Sequence, residues 1–138
     1  MRASPLVTRW AQVAGVLFVL LGVAHLVIAV PDGMRATAPL PRADAAPLVM
    51  ADITTGVAVL FAGLLTLHSA SGLARSEPWA RFVASLSGIL VLLAGVGYVF
   101  ADSGNPFAWI ALAVALAALV APLLLAPRRP AALVSDTS

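Results

Sequence analysis

Four polar side chains near the ends of long apolar segments are the residues in this chain that could do chemistry. They are His25, Asp52, Tyr98 and Asp102, which we call the candidate cluster. A histidine with a carboxylate or a phenol forms a pair that can accept and donate protons. An ionisable group at membrane depth is costly, and it is therefore a functional hypothesis by default. The sequence indicates no nucleophile motif, so we assign no catalytic residue.

Each member of the candidate cluster also has a purely structural explanation. Asp52 near the start of a helix would be favoured by the helix dipole and by unpaired N–H groups. Asp102 fits a solvated helix end, and Tyr98 fits an aromatic side chain at the membrane interface. His25 lies deeper, and either a functional role or a structural hydrogen bond to Asp52 or Tyr98 accounts for it.

Four apolar runs must position these side chains, and each has about the 20 residues that a membrane-spanning helix needs. The fold class predicted is an all-α, antiparallel bundle of four transmembrane helices over residues 10–126. Residues 1–9 and 127–138 are predicted as cytoplasmic tails, the second one disordered. The four predicted spans are Trp10–Val30, Leu48–His68, Phe82–Phe100 and Phe107–Ala126.

Prolines and polar residues predict where the helices end. Pro31 and the three further prolines of segment 31–47 predict an extended or partly re-entrant connection, with Pro47 opening the second helix. Segment 69–78 is predicted as a polar loop, and the short connection before Pro106 predicts that helices three and four are antiparallel neighbours.

The arginines predict the orientation of the bundle. Cytoplasmic loops carry an excess of basic residues. This places both termini and the 69–81 loop in the cytoplasm and the candidate cluster near the outer leaflet. Six arginines lie on the predicted cytoplasmic side and two on the other side: Arg2, Arg9, Arg75, Arg81, Arg128 and Arg129, against Arg35 and Arg42.

Composition indicates the lipid bilayer as the solvent of this protein. Of the 138 residues, 62% are hydrophobic and 10% are charged, against about 25% charged in soluble domains. The many alanines and the absence of lysine are typical of a GC-rich bacterial genome, which predicts a multi-pass protein of the bacterial inner membrane. The net charge of +2 is divided among loops, so nucleic acid is not an expected partner.

Ligand chemistry is restricted by the residue types present. The chain has no cysteine and two histidines, which excludes disulfides, thiolate metal sites and three-histidine zinc sites within it. His25 and His68 are predicted in opposite leaflets, so they cannot ligate one haem. A metal site of His25, Asp52 and Asp102 would match no known spacing, and we expect neither a metal nor a cofactor.

Small residues recur on one face of each predicted helix, which is typical of helix contacts in membranes. On the first helix this stripe leads directly to His25, three residues after Gly22. The predicted contact residues are Ala11, Ala14, Gly15 and Gly22, then Thr55, Gly56, Gly63 and Thr66, then Ala84, Ser87, Gly88 and Gly95, and finally Ala113, Ala117 and Ala121.

Three short elements resemble a known family. Gly22-Val23-Ala24-His25-Leu26, Met34-Arg35 in the first outer loop and the segment Asp52–Gly56 are similar to the small four-helix bacterial inner-membrane proteins of the DoxX-like group. The resemblance covers residues 10–126. It implies a four-helix membrane fold and, for some members, a role as a subunit of redox systems. Relatives often carry a histidine where this chain has Asp52.

Three classes of function remain open from the sequence. The first is a non-enzymatic accessory subunit or small binding module, whose partners would be other membrane subunits or a second copy of the chain. The second is a membrane enzyme, or a quinone- or lipid-interacting redox subunit, that uses His25 with Asp52 or Tyr98 to accept and donate protons. The third is a small-molecule transporter.

Overall fold

The computed structural model describes residues 5–101, 104 and 106–124, and every secondary-structure element in these residues is helical. Helix α1 (Pro5–Ala24), a π-helical turn (His25–Ala29) and helix α2 (Val30–Thr37) follow one another without a break. Helices α3 (Arg42–Ala74), α4 (Pro78–Ala101) and α5 (Pro106–Leu124) complete the chain. The described residues therefore form four helical segments.

The four segments form an antiparallel bundle. Helix α1 packs most extensively against α3 and also against α5, while α4 packs against α3 and α5. Short connections join successive segments, so neighbours run in opposite directions. All four segments contribute to the central core, which consists of Phe18, Val59, Ala62, Val91 and Ala115. The predicted all-α bundle of four helices is confirmed.

Three segments are long and apolar enough to cross a membrane: Pro5–Thr37, Arg42–Ala74 and Pro78–Phe100. In the most apolar stretch of each, only 22 to 28% of the residues are buried inside the bundle. The remaining apolar surface has to meet lipid, because water would not solvate it. The apolar part of α5 covers Ala108–Val120, and the end of the predicted span Phe107–Ala126 lies outside the described residues.

The expectation of an extended segment 31–47 is wrong. The chain stays helical to Thr37, turns over residues 38–41 and becomes helical again at Arg42. A proline within a helix lacks an N–H donor and clashes with the carbonyl four residues before it. Here the turn before Pro31 widens into a π-turn, in which the Val30 N–H bonds to the His25 carbonyl. This widening accommodates the proline without ending the helix.

Two other predicted helix ends are also wrong. Pro47 lies inside α3 and does not open it, since the helix begins at Arg42. Helix α3 continues beyond His68 to Ala74, so the polar loop shrinks to residues 75–77. The hydroxyls near this end find their hydrogen-bond acceptors among carbonyls of the same helix. Ser69 donates to the Thr66 carbonyl.

Small residues bring α1 and α3 into very close contact, as the stripe on the first helix predicts. Gly22 faces the backbone of Leu60, and Gly63 faces the backbone of Val19. The stripe predicted for the last helix is wrong in part, because Ala113 is exposed. The face of α5 that is buried carries Ala108 and Ala115. Ala121 is among the side chains that the structure does not describe.

Candidate functional site

Three members of the candidate cluster meet in one hydrogen-bonded group, which we call the triad: His25, Asp52 and Tyr98. The Tyr98 hydroxyl donates to Oδ1 of Asp52 over 2.8 Å. The same hydroxyl lies 3.0 Å from Nε2 of His25, and Nε2 lies 3.1 Å from the Asp52 backbone oxygen. The His25 and Tyr98 rings meet edge to face, with centroids 5.1 Å apart. Helix periodicity thus places these three side chains on facing surfaces. Asp102 lies outside the described residues.

Asp52 is much farther from its helix end than the sequence predicts. The sequence predicts Asp52 near the start of the second helix, but α3 begins at Arg42, ten residues before it. Ten residues at 1.5 Å each place Asp52 roughly 15 Å along α3. The helix dipole and the unpaired N–H groups act only within the first turn. A helix N-terminus therefore does not explain Asp52, and this structural interpretation is wrong.

Two glycines allow the chain to close around the triad. A Cβ atom on Gly33 would lie 2.6 Å from Oδ2 of Asp52, so α2 covers the carboxyl group directly. A Cβ atom on Gly56 would lie 2.9 Å from Cδ2 of His25, so the imidazole rests against the backbone of α3. Larger residues at either position would displace a member of the triad.

The π-turn begins at His25 itself. Such turns insert an extra residue into a helix and often occur at functional sites. The Val30 N–H bonds to the His25 carbonyl across this turn, and α2 then continues over Asp52. Pro31 therefore lies between two parts of the site. The π-turn that begins at His25 precedes it, and the segment of α2 that covers Asp52 follows it.

A cavity of about 80 Å³ lies beside the triad, between α1, α3, α4 and α5. One water molecule needs roughly 10–15 Å³, so this space holds a small molecule or several waters. The polar residues that line it are His25, Thr55 and Tyr98, and the rest of the lining is apolar or glycine. Ile28 borders the cavity and is 48% exposed on the outside of the bundle. An occupant can therefore extend toward the surface of the bundle.

Within the described part of the chain, no salt bridge involves a member of the triad. The two salt bridges found there join Arg35 to Asp32 and Arg75 to Glu77, and both are at the surface. Among the described residues, no group of three His, Cys, Asp or Glu side chains could hold a metal ion. The group that satisfies Asp52 is instead the neutral hydroxyl of Tyr98.

The opposite end of the bundle holds a separate polar group. Glu77 accepts hydrogen bonds from Arg75 and from the Trp79 indole. These two bonds stabilise the carboxylate and lower the pKa of Glu77 below its ordinary value. The His68 ring packs against Trp79 with centroids 5.4 Å apart.

Two contacts could not be predicted from the sequence: a hydrogen bond between α1 and α5, and the close approach of α2 to Asp52. The indole N–H of Trp10 donates to the Ala117 carbonyl over 3.1 Å and ties α1 to α5. Gly33, which as a glycine after Pro31 could equally mark a helix end, permits the close cover over Asp52. A glycine two residues after Pro31 gives no signal that separates these two roles.

Comparison with protein-family models, curated proteins and solved structures finds no match to this chain. The DoxX-like resemblance therefore stays a prediction from short motifs.

Proposed function

We propose that this membrane protein is a binding module that holds a small, mostly apolar molecule in the cavity beside the triad. One observation carries the proposal: an apolar cavity between four helices has its polar groups at one place, where His25, Thr55 and Tyr98 line it. Ligand sites typically combine an apolar lining with a few convergent polar groups that orient the ligand. The apolar body of the ligand would contact residues such as Leu21 and Val91, and its polar end would face the triad.

The positions of the polar groups support binding without catalysis. Tyr98 and His25 are already bonded to each other and to Asp52, so these groups orient one another. A polar network whose members hydrogen-bond to one another favours one arrangement of its members. Such a network presents a fixed surface to a ligand, and no nucleophile motif accompanies it.

A pair of alanine substitutions on α5 tests the proposal. Ala111 lines the cavity, whereas Ala113 is exposed on the same helix. We expect Ala111→Leu to fill the space and to weaken binding of phenol at least tenfold, while Ala113→Leu binds phenol as the wild type does. The chain has one tyrosine, so a ¹³C-labelled tyrosine ring reports on Tyr98 alone in a titration monitored by NMR. Equal titration curves for the two variants would overturn the proposal.

We further propose that the 38–41 turn faces outward across a bacterial inner membrane and that the 75–77 turn faces the cytoplasm. The excess of arginines on the side of the 75–77 turn supports this orientation. In this orientation the triad lies in the outer half of the bilayer. The proposal also requires α5 to be the fourth membrane crossing.

Single cysteines test the orientation cleanly, because the natural chain has none. Ala38 and Ala74 are both exposed and lie beside the two turns. In intact cells or spheroplasts, we expect a membrane-impermeant maleimide to label Ala38→Cys and to leave Ala74→Cys unlabelled until the membrane is permeabilised. The reverse pattern of labelling would show that the bundle is inverted.

A further inference from the structure

The hydrogen bonds of His25 determine which of its ring nitrogens carries a proton. Nε2 lies 3.1 Å from the backbone oxygen of Asp52, and a carbonyl oxygen can only accept. Nε2 must therefore be the donor. Its proton is shared with the Tyr98 oxygen at 3.0 Å, while the Tyr98 hydroxyl gives its own proton to Asp52. In the neutral imidazole this arrangement leaves Nδ1 as an acceptor.

The hydrogen bonds of the ring leave Nδ1 as its polar atom without a partner among the described residues. Cδ2 rests against Gly56 and Nε2 is bonded to Asp52 and Tyr98, so both of these atoms face neighbouring helices. No described residue hydrogen-bonds to Nδ1. Among the described side chains, the one buried polar atom without a partner is Oγ of Ser87. Nδ1 is therefore not fully buried, and His25 lines the cavity.

The side-chain donors of the described cavity lining are all in use. Thr55 donates to the Ala51 carbonyl over 2.9 Å. Tyr98 donates to Asp52, and His25 donates through Nε2. The polar end of the cavity therefore presents acceptors and no spare donor. A ligand whose polar group can only accept, such as an ether or a ketone, finds no partner there.

From this we infer that the ligand of the cavity carries a hydrogen-bond donor, a hydroxyl or an N–H group, that is bonded to Nδ1 of His25. This inference rests on the proposed function and specifies the chemical class of the ligand. It selects phenols, alcohols and neutral amides over ethers, ketones and quinones of similar size. One net hydrogen bond contributes roughly 0.5–1.5 kcal/mol, which corresponds to a preference of about two- to tenfold.

Phenol and anisole test the inference, because they share a ring and differ in the hydroxyl proton. We expect phenol to bind about two- to tenfold more tightly than anisole, as measured by the Tyr98 ring signal, and the preference to disappear in Ala111→Leu. Equal affinities that are both weakened by Ala111→Leu would overturn the donor inference and leave the proposed function intact. If neither compound produces a saturable shift that depends on Ala111, the proposed function fails as well.

Nitrogen NMR tests the protonation pattern independently of affinity. The chain has two histidines, and His68→Gln leaves His25 as the only ¹⁵N-labelled imidazole. We expect Nε2 to be protonated and Nδ1 unprotonated, and we expect phenol to move the Nδ1 resonance more than anisole does. A neutral ring protonated at Nδ1, or a phenol response equal to that of anisole, would overturn the inference.

Discussion

Replacing Gly22 with alanine is expected to destabilise the bundle strongly. The new Cβ atom would lie 2.5 Å from the backbone nitrogen of Leu60 and 2.7 Å from its Cα. Backbone atoms cannot rotate away as the end of a side chain can, so α1 and α3 must separate. Overpacking of this kind costs roughly 1–3 kcal/mol, and we expect a value near the upper end. The free energy of unfolding in mixed micelles measures it.

Gly97 provides the matched control. It lies within α4, about one turn before the end of the helix, and a Cβ atom there would meet nothing within 4 Å. Gly97→Ala should therefore leave stability unchanged or raise it by up to about 1 kcal/mol, the ordinary gain in helix propensity. Equal free energies of unfolding for Gly22→Ala and Gly97→Ala would contradict the close backbone contact between α1 and α3.

The second large effect is expected for Tyr98→Phe, which removes the hydroxyl that joins His25 to Asp52. Oδ1 of Asp52 would lose the donor that lies 2.8 Å away, and Nε2 of His25 would lose one of its two acceptors. A half-buried polar group left without a partner costs roughly 1–3 kcal/mol. We expect a loss of stability in that range and a weaker affinity for phenol, because the His25 ring is no longer held.

A double-mutant cycle separates this effect from a general loss of packing. Asp52→Leu removes the group that needs the Tyr98 hydroxyl, so Tyr98→Phe should cost less in that background than in the wild type. We expect a coupling free energy of roughly 1 kcal/mol or more, obtained from the four free energies of unfolding. Additive effects would contradict the hydrogen bond between Tyr98 and Asp52.

Sequence periodicity is sufficient to predict which side chains of the triad face one another. His25 follows Gly22 by three residues, and the small residues of a helix mark its contact face. Tyr98 likewise follows Gly95 by three residues in α4. The convergence of His25, Asp52 and Tyr98 is therefore a consequence of the helical repeat once the helices are paired.

The connection between the first two spans could not be predicted in the same way. Pro31 and Gly33 are local signals for a helix end, but the outcome depends on contacts distant in sequence. Helix α2 packs against α3, with Gly33 placed over Asp52. The π-turn before Pro31 makes this continuation sterically possible. No property of segment 31–47 alone distinguishes a stopped helix from a widened one.

The buried face of α5 could not be predicted from the sequence either. From Pro106 to Leu124 the helix contains no charged residue, and alanines occur all around it. Because no charged residue marks the outer face, the sequence gives no reason to expect Ala115 rather than Ala113 on the buried face. The contacts with α1 and α4 decide that Ala115 is buried and Ala113 exposed.

The most direct test of the binding site is an intermolecular nuclear Overhauser measurement between phenol and the labelled Tyr98 ring in micelles or nanodiscs. Because Tyr98 is the single tyrosine and lines the cavity, every cross-peak locates phenol at this site. We predict cross-peaks that saturate with phenol, persist in Ala113→Leu and disappear in Ala111→Leu. Absence of cross-peaks in the wild type, or cross-peaks that are unchanged in Ala111→Leu, would contradict a ligand site beside the triad.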